Sequence, residues 1–564
     1  AAIFAAVAYG FSSFETVVLY YSVSAVSTLL PMVVFAVLHA LDVPSRRAAV
    51  LVALSVAAIF ANGHPESVVH VAMAVVVVLA IELPFARDRR DWLRRFVTPL
   101  VGAIAGVLIA MPVWLPAAQQ VLLSTRYAVL RSGAPKMTIP LTAAWAMLNP
   151  NGFGNPARGN WNWILNYMIV AESYVGLLVL VLFAAAVVSP RTSGRMRLWS
   201  AAAIVTFIVA MDWTFLGHAL NAIPPFDVAA NDKLRFVSLF FAVVVAARWL
   251  DGAARERALP LVAFGSVAAG VSLYVYRKQL ALLRPIDLAG VVAVVAFLIL
   301  YSLLRSRARW LAGAAAALTL AELFAFNANF NRLVDSKYYR PELPIVQALR
   351  AHAPREPFRV AGFNWVLSPN GATQYGLEDI RGSDPMSLAS YTRVLERVGE
   401  GTEVIRVLRP DHPLLDFLGV RFLLAEPEAE FGGKWRLLYR GRDGALFENS
   451  QARPRFFAEG AEVEVGQRST AEFRLRVRAS RPTTVVSSEP AEPGWQVRVG
   501  GRAARVRVVE EAFVGFDVPA GESRVTVKYR PATFYGALPA ALAGLLLLLV
   551  SSPLKISKSR GIGL

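Results

Sequence analysis

Long apolar runs, interrupted by short clusters of arginine and lysine, recur along most of this chain and leave few folds open to it. A segment of about 17 to 25 apolar residues crosses roughly 30 Å of hydrocarbon as a helix, with its backbone groups bonded inside the segment. Such runs occupy residues 16–41, 48–62, 67–86, 97–118, 168–188, 198–216, 234–250, 259–276, 286–304, 308–326 and 533–551. The spacing predicts an α-helical polytopic membrane protein of about eleven membrane helices, with one sizeable soluble insertion before the last. Composition agrees: 56% hydrophobic and only 17% charged residues fall outside the range of ordinary soluble domains.

A net charge of +18 would suit a nucleic-acid binder if it were spread over a soluble surface. Here the cations lie mostly between apolar runs, where they set topology, and no nucleic-acid motif accompanies them. One set of alternate loops carries Arg46 and Arg47, the cations of 87–95, 191–197, 248–257 and 305–309, and the tail at 555–560. The opposite set holds the turn at His64, the loop 119–167, the segment 217–232 and the region 327–531, with Arg277, Lys278 and Arg284 as its one basic exception. Positive loops stay in the cytosol, so the large insertion is expected outside and the C-terminus inside. Cysteine is absent, which excludes disulfides, thiolate metal sites and thiol catalysis. Ala1 to Phe11 reads as the apolar end of a helix without an initiator methionine, so an earlier segment is expected.

The expected division is a multi-helix membrane domain over 1–330 with an outer loop at 119–167, an extracytoplasmic α/β region over 331–452, an extracytoplasmic β-sandwich over 453–531, and a final membrane helix with a basic tail over 532–564. In the α/β region, short strands at 358–360 and 420–424 mix with a helical stretch at 387–398. In the sandwich the period is two: Phe473, Leu475 and Val477 alternate with Glu472, Arg474, Arg476 and Arg478, and Gly500-Gly501 forms a hairpin turn.

Nucleotide-binding loops, zincin spacing and hydrolase triads are all missing, and the informative residues are polar groups at the expected outer face. His64 and Glu66 flank Pro65 at a helix start; they are either caps or ligand-facing groups. The loop after them in the chain carries Arg126, Tyr127, Arg131 and Lys136, then Asn149 and Asn151, then Trp161, Trp163 and Tyr167. Its aromatics argue against disorder, and form either an interfacial belt or part of a site. Lys233 and Arg235 open a helix on the side where cations are not needed for topology; they suit a phosphate headgroup or snorkel to lipid. Asp212 and Glu322 sit inside apolar helices, where a carboxylate either serves function or pairs with a neighbouring helix. Trp365, Trp435 and Trp495 are either core residues or platforms for sugar rings.

Taken in order, Gly63-His64-Pro65-Glu66, the segments 124–127 and 131–133, Asn149 to Gly154, and Glu172-Ser173-Tyr174-Val175-Gly176 resemble the YfhO family of bacterial membrane proteins. So do the soluble motifs at 357–360, 369–382 and 415–422, and the closing motifs at 492–495, 518–521 and 529–531. The resemblance implies a fold similar to the GT-C glycosyltransferases, which take sugars from polyprenyl-phosphate carriers. It implies a place in the bacterial cytoplasmic membrane, with membrane lipid, a polyprenyl-phosphate sugar and a cell-envelope glycopolymer as partners. In those enzymes the catalytic carboxylate lies in the first outer loop, in a region expected to precede this chain. The catalytic residue is therefore unassigned, with His64, Glu66, Asp212 and Glu322 as accessory candidates; Arg126, Tyr127, Arg131, Asn149, Asn151, Lys233 and Arg235 are candidates for substrate binding. No cofactor is identified, and a divalent cation stays open. The competing readings are a transporter or flippase of lipid-linked saccharides, which calls for broken helices or inverted repeats, and a scaffold whose outer domain binds a polymer.

Overall fold

The protein is described by a computed structural model covering residues 1–550, except 87, 133–135, 137, 162, 164, 254, 255, 257, 278–283, 305, 328, 329, 332, 355, 402 and 403. Arg87, Lys278 and the basic tail at 555–560 therefore lie outside the described residues. The chain forms two compact units: Ala1–Trp114, Pro135–Leu333 and Pro539–Leu564 make one, and Leu115–Ala134 with Val334–Leu538 make the other.

The first unit is helical. Among the described residues, Ser22–Asp42, Pro65–Phe85, Arg89–Ile109, Pro285–Leu304, Ala308–Asn327 and Ala532–Val550 are long and apolar enough to cross a membrane. Gly194–Ala210 and Phe215–Asn221, bent by 72°, add another if the pair is one span. The helix Arg235–Gly252 is buried along nearly its whole circumference, as expected of an apolar helix surrounded by others. The final helix instead leaves Leu542, Leu545, Leu546 and Leu549 exposed, as a lipid-facing helix would.

Where the apolar pattern suggests one helix over 16–41, three shorter helices occur: Ser13–Val17, Ser22–Ser27 and Leu30–Asp42. A buried carboxyl group lies at the break. Glu15 is 3% exposed and accepts a hydrogen bond from Ser27 Oγ at 2.9 Å. In one straight helix those two residues would stand about 18 Å apart along the axis. The chain must double back to bring them together, and the turns at 18–21 let it do so.

Close helix packing is concentrated between Arg46–Ala61 and Arg89–Ile109. Gly102 and Gly106 share one face of the second helix, four residues apart, and a Cβ on Gly106 would lie 2.6 Å from the Ala53 carbonyl oxygen. This is the small-residue spacing that lets membrane helices approach backbone to backbone.

The second unit is rich in strands. One mixed sheet has the order Arg359–Gly362, Val420–Ala425, Gly444–Asn449, Trp435–Gly441, its first pair parallel and the others antiparallel. Helix Pro344–His352 packs on this sheet. Two further antiparallel sheets enclose Phe456, Phe473, Leu475, Val477, Val485, Phe516, Val525 and Val527. The alternation read from 472–479 is the inward and outward alternation of the strand Glu472–Ala479. Gly500 and Gly501, at φ 55° and 81°, close the hairpin between Trp495–Val499 and Arg502–Ala504, a turn that needs two positive φ values. Trp435 is 5% exposed and donates its Nε1–H to the Pro410 carbonyl; Trp495 packs against Phe473 and Tyr529.

Gly106→Val should push Arg89–Ile109 off its neighbour and destabilise the protein by about 1–3 kcal/mol. The check is the unfolding midpoint in detergent; a midpoint equal to that of the parent would show that this contact is not tight.

Candidate functional site

The site is built around an interruption. Helix Tyr167–Ala171 ends, helix Leu177–Val188 begins, and Gly176 between them has φ 105°, a conformation open to glycine. The five residues from Glu172 to Gly176 are all buried. Their polar groups therefore need partners inside the protein.

Glu172, 1% exposed, accepts from Lys233 Nζ at 2.5 Å and from the Arg235 guanidinium. Arg235 is fully buried and also donates to Ser173 Oγ at 3.2 Å, to the Asp232 carbonyl at 2.9 Å and to the Asp232 carboxylate at 3.3 Å. Two cations thus face two carboxylates and the local charge cancels, as burial demands. Burial alone would lower the Lys233 pKa, but Glu172 and Asp232 outweigh it and hold the amine above its ordinary value. The Lys233 side chain keeps 20% exposure and that of Arg235 none, so of the two it is Lys233 that reaches solvent.

On the other side of the interruption, the Tyr174 hydroxyl and the backbone N–H groups of Leu177 and Leu178 all point to the Glu322 carboxylate. Glu322 caps the start of Leu177–Val188, where the helix dipole favours an anion. Gly290 makes room for it: a Cβ there would lie 3.0 Å from Glu322 Oε1.

Polar contacts continue from the Lys233 turn. Asn231 joins His70 at 3.1 Å and donates to Asn221 at 2.6 Å and to the Phe226 carbonyl at 2.9 Å. The Ala230 N–H donates to Glu66 at 3.1 Å. Lys136 donates to Asn221 at 3.3 Å and to the Ala229 carbonyl at 3.1 Å. His64 acts as a cap, its Nδ1 accepting from the Ser67 N–H at 3.2 Å.

A second knot holds the loop of Asn149 and Asn151. Asn149 Nδ2 donates to the Asp287 carbonyl at 3.1 Å and Asn151 Nδ2 to Asp287 Oδ1 at 2.9 Å. Arg158 grips the same carboxylate with both guanidinium nitrogens, at 2.6 and 2.8 Å. Asn155 Nδ2 and the Tyr167 hydroxyl donate to Asn151 Oδ1 at 2.9 and 3.1 Å. Asp287 lies just ahead of helix Ala289–Leu304, so the loop is tied to that helix start.

Asp212 stands apart at the 72° bend, at φ 57°, with Thr138 Oγ1 donating to it at 3.3 Å; His218 Nδ1 lies 3.6 Å from its carboxylate and is hydrogen-bonded to the Thr214 carbonyl at 3.0 Å. Arg126, Tyr127 and Arg131 belong to the second unit, on helix Thr125–Arg131. Thr125 N–H donates to the Ser387 carbonyl at 2.8 Å, and the Arg131 guanidinium lies 5.7 Å from the Tyr127 ring centre.

The residues that the sequence reading did not single out as site groups are Glu15, His70, Arg158, Glu172, Asn231, Asp232 and Asp287. The rule that flagged Asp212 and Glu322, a carboxylate inside an apolar run, applies equally to Glu15 and Glu172. Among the described residues no group of three or more His, Asp or Glu is placed to hold a metal ion.

No curated protein matches the chain. Among solved structures, the arabinofuranosyltransferase AftD from mycobacteria is similar at a TM-score of 0.37 and 11% identity. The alignment covers 93% of this chain and 48% of that one, so the chain spans about half the length of AftD. Residues 458–538, which take in most of the β-sandwich and the approach to the last helix, match the model of the family described as bacterial membrane protein YfhO.

Proposed function

We propose that the protein transfers a sugar from a polyprenyl-phosphate donor to a cell-envelope polymer on the outer face of a bacterial cytoplasmic membrane. The observation supporting this is the polar layer of Glu66, His70, Glu172, Asn231, Asp232 and Lys233, gathered where helices Pro65–Glu82, Leu177–Val188 and Arg235–Gly252 begin. The arginines used as topology signals, such as Arg195 and Arg248, belong to the opposite ends of the helices. A lipid-phosphate donor needs that arrangement: apolar helix faces for its tail and a cation at the polar end for its phosphate. On this reading about eleven spans cross the bilayer. Arg46–Ala61, Leu177–Val188, Arg235–Gly252 and Ala258–Arg277 join the longer helices and the bent pair.

In the reaction, the bond from the sugar's anomeric carbon to the phosphate oxygen breaks and one to an acceptor hydroxyl oxygen forms. The acceptor proton passes to a base, and polyprenyl phosphate leaves. On this reading Lys233, the more exposed of the two cations, meets the phosphate, with Arg235 holding Glu172 and Asp232 around it. Asn149 and Asn151 shape the loop beside the start of Ala289–Leu304. Glu66, accepting from Ala230, and Asp212 are both half-buried accessory carboxylates, while Glu322 is buried and engaged by its cap. The second unit, including Arg126, Tyr127 and Arg131, is proposed to carry the polymer.

The breaks at 172–176 and at the 72° bend favour a second reading, movement of a lipid-linked saccharide across the membrane, because interrupted helices line such paths. The two readings part in one experiment. Purified full-length protein, given polyprenyl-phosphate sugar and an envelope polymer, should release free polyprenyl phosphate. Transbilayer movement of the intact lipid in proteoliposomes, with no release, would leave the transporter.

Two variants test the roles of the cations. Lys233→Ala should weaken binding of a polyprenyl-phosphate analogue by about tenfold or more, the worth of a charge-assisted hydrogen bond, and, because it too leaves the buried Glu172 with half its pairing, it should also lower the unfolding midpoint. Unaltered binding would remove Lys233 from the site. Arg235→Ala leaves Glu172 buried with half its pairing, so it should cost about 3–5 kcal/mol of stability. Thermal unfolding in detergent reads this directly, and a parental midpoint would refute the structural role.

A further inference from the structure

The loop after strand Arg359–Gly362 is held in an unusual shape. Asn364, Leu367 and Asn370 have φ of 52°, 50° and 70°. Asparagine tolerates the left-handed region, but leucine does not adopt it without strain. Such a conformation persists only where the surroundings enforce it, and it concentrates where proteins bind things.

The enforcement here is extensive. Phe363 N–H donates to the Leu424 carbonyl at 2.7 Å and Asn364 N–H to the Val407 carbonyl at 2.8 Å. The buried Arg381 guanidinium donates to the Leu367 carbonyl at 2.5 Å and to the Asp379 carboxylate at 2.8 Å. The Asn370 amide exchanges hydrogen bonds with the Ser383 backbone at 2.9 and 3.2 Å. Gly362 lets the loop fold back on the strand, since a Cβ there would fall 1.8 Å from the Val366 carbonyl oxygen.

What this framework presents is Trp365, 59% exposed, in a unit whose other tryptophans are packed away. The Arg406 guanidinium lies 5.1 Å from its ring centre and bonds to Glu400 at 2.9 Å across a short strand pair. The indole thus stands beside a donor fork whose own partner is a carboxylate, the guanidinium 32% and the carboxylate 67% exposed. Trp365 also follows the carboxyl end of the strand Arg359–Gly362, whose neighbour Val420–Ala425 runs parallel to it.

We propose that Trp365 is a stacking platform for a pyranose ring of a saccharide chain, with Arg406 and Glu400 bonding its hydroxyls. A pyranose with equatorial substituents has a flat face of C–H groups that lies on an indole, and a rim of hydroxyls that needs both donors and acceptors. A rigid loop loses little freedom when such a ring docks. The site deepens the proposed function by giving the acceptor polymer a foothold, and rests on it only for the identity of that polymer.

The test uses the full chain in detergent with cellohexaose and chitohexaose as probes, read by saturation-transfer NMR and titration. Binding of at least one hexasaccharide is expected, weakened about tenfold in Trp365→Ala and kept within about threefold in Trp365→Phe. Arg406→Ala should also weaken it. The unfolding midpoint and the binding of a polyprenyl-phosphate analogue should stay at the parental values in all three variants. No binding of either probe by the parent chain, or equal binding by Trp365→Ala, overturns the proposal. Saccharide binding without any sugar transfer would leave this site standing and remove the transferase.

Discussion

A charge that cannot be left alone in a membrane helix bundle organises the first unit. Arg235 is buried at the head of the helix Arg235–Gly252, and its guanidinium demands a carboxylate. Glu172 meets that demand, and with Ser173 it is delivered by an interruption between two helices. The interruption in turn exposes the N–H groups of Leu177 and Leu178, which a continuous helix would have bonded internally. Glu322 answers those, so the helix Ala308–Asn327 is fixed against the same point. The Tyr174 carbonyl accepts from Ser13 N–H at 2.9 Å, and Ser13 Oγ donates to Asn327 at 3.0 Å, which closes the circuit through the first helices. One buried pair thus dictates a break, the break dictates a cap, and the cap dictates packing.

The parts legible in the sequence are those with a local cause. The apolar runs at 67–86 and 308–326 became helices because length and hydropathy act within each segment, whereas the run at 97–118 is broken at Ala110 between the helices Arg89–Ile109 and Met111–Leu123. The alternation at 472–479 became a strand with one buried face for the same reason. The parts that escaped are pairings over long separations. Arg158 and Asp287 are far apart in the chain, and neither has a neighbour that hints at the other. Glu172 looked like one letter of a motif because its partners lie beyond a further helix. The run at 16–41 is divided in the structure where Ser27 Oγ reaches back to the buried Glu15 carboxyl just ahead of it, a contact that hydropathy does not register. Asn149 and Asn151 were recognisable as unusual residues in a long loop, yet their work as braces on Asp287 became visible only when both ends of the contact were in place.

A balanced cluster of two cations and two carboxylates seems at first a poor site for an anion, and its balance is what makes it useful for the proposed reaction. The donor is a phosphodiester with a single negative charge, whereas the departing polyprenyl phosphate is a monoester whose second ionisation lies near pH 6. Negative charge therefore grows on the phosphate as the sugar leaves. An ammonium already oriented by Glu172 and Asp232 acts more strongly on that growing charge than on the resting donor, and does so without reorganising. A surplus of free cations would instead grip donor and product alike and slow release. In the proposed reaction the buried Arg235 would complete the device without touching the donor, since it keeps Glu172 and Asp232 in place beside Lys233.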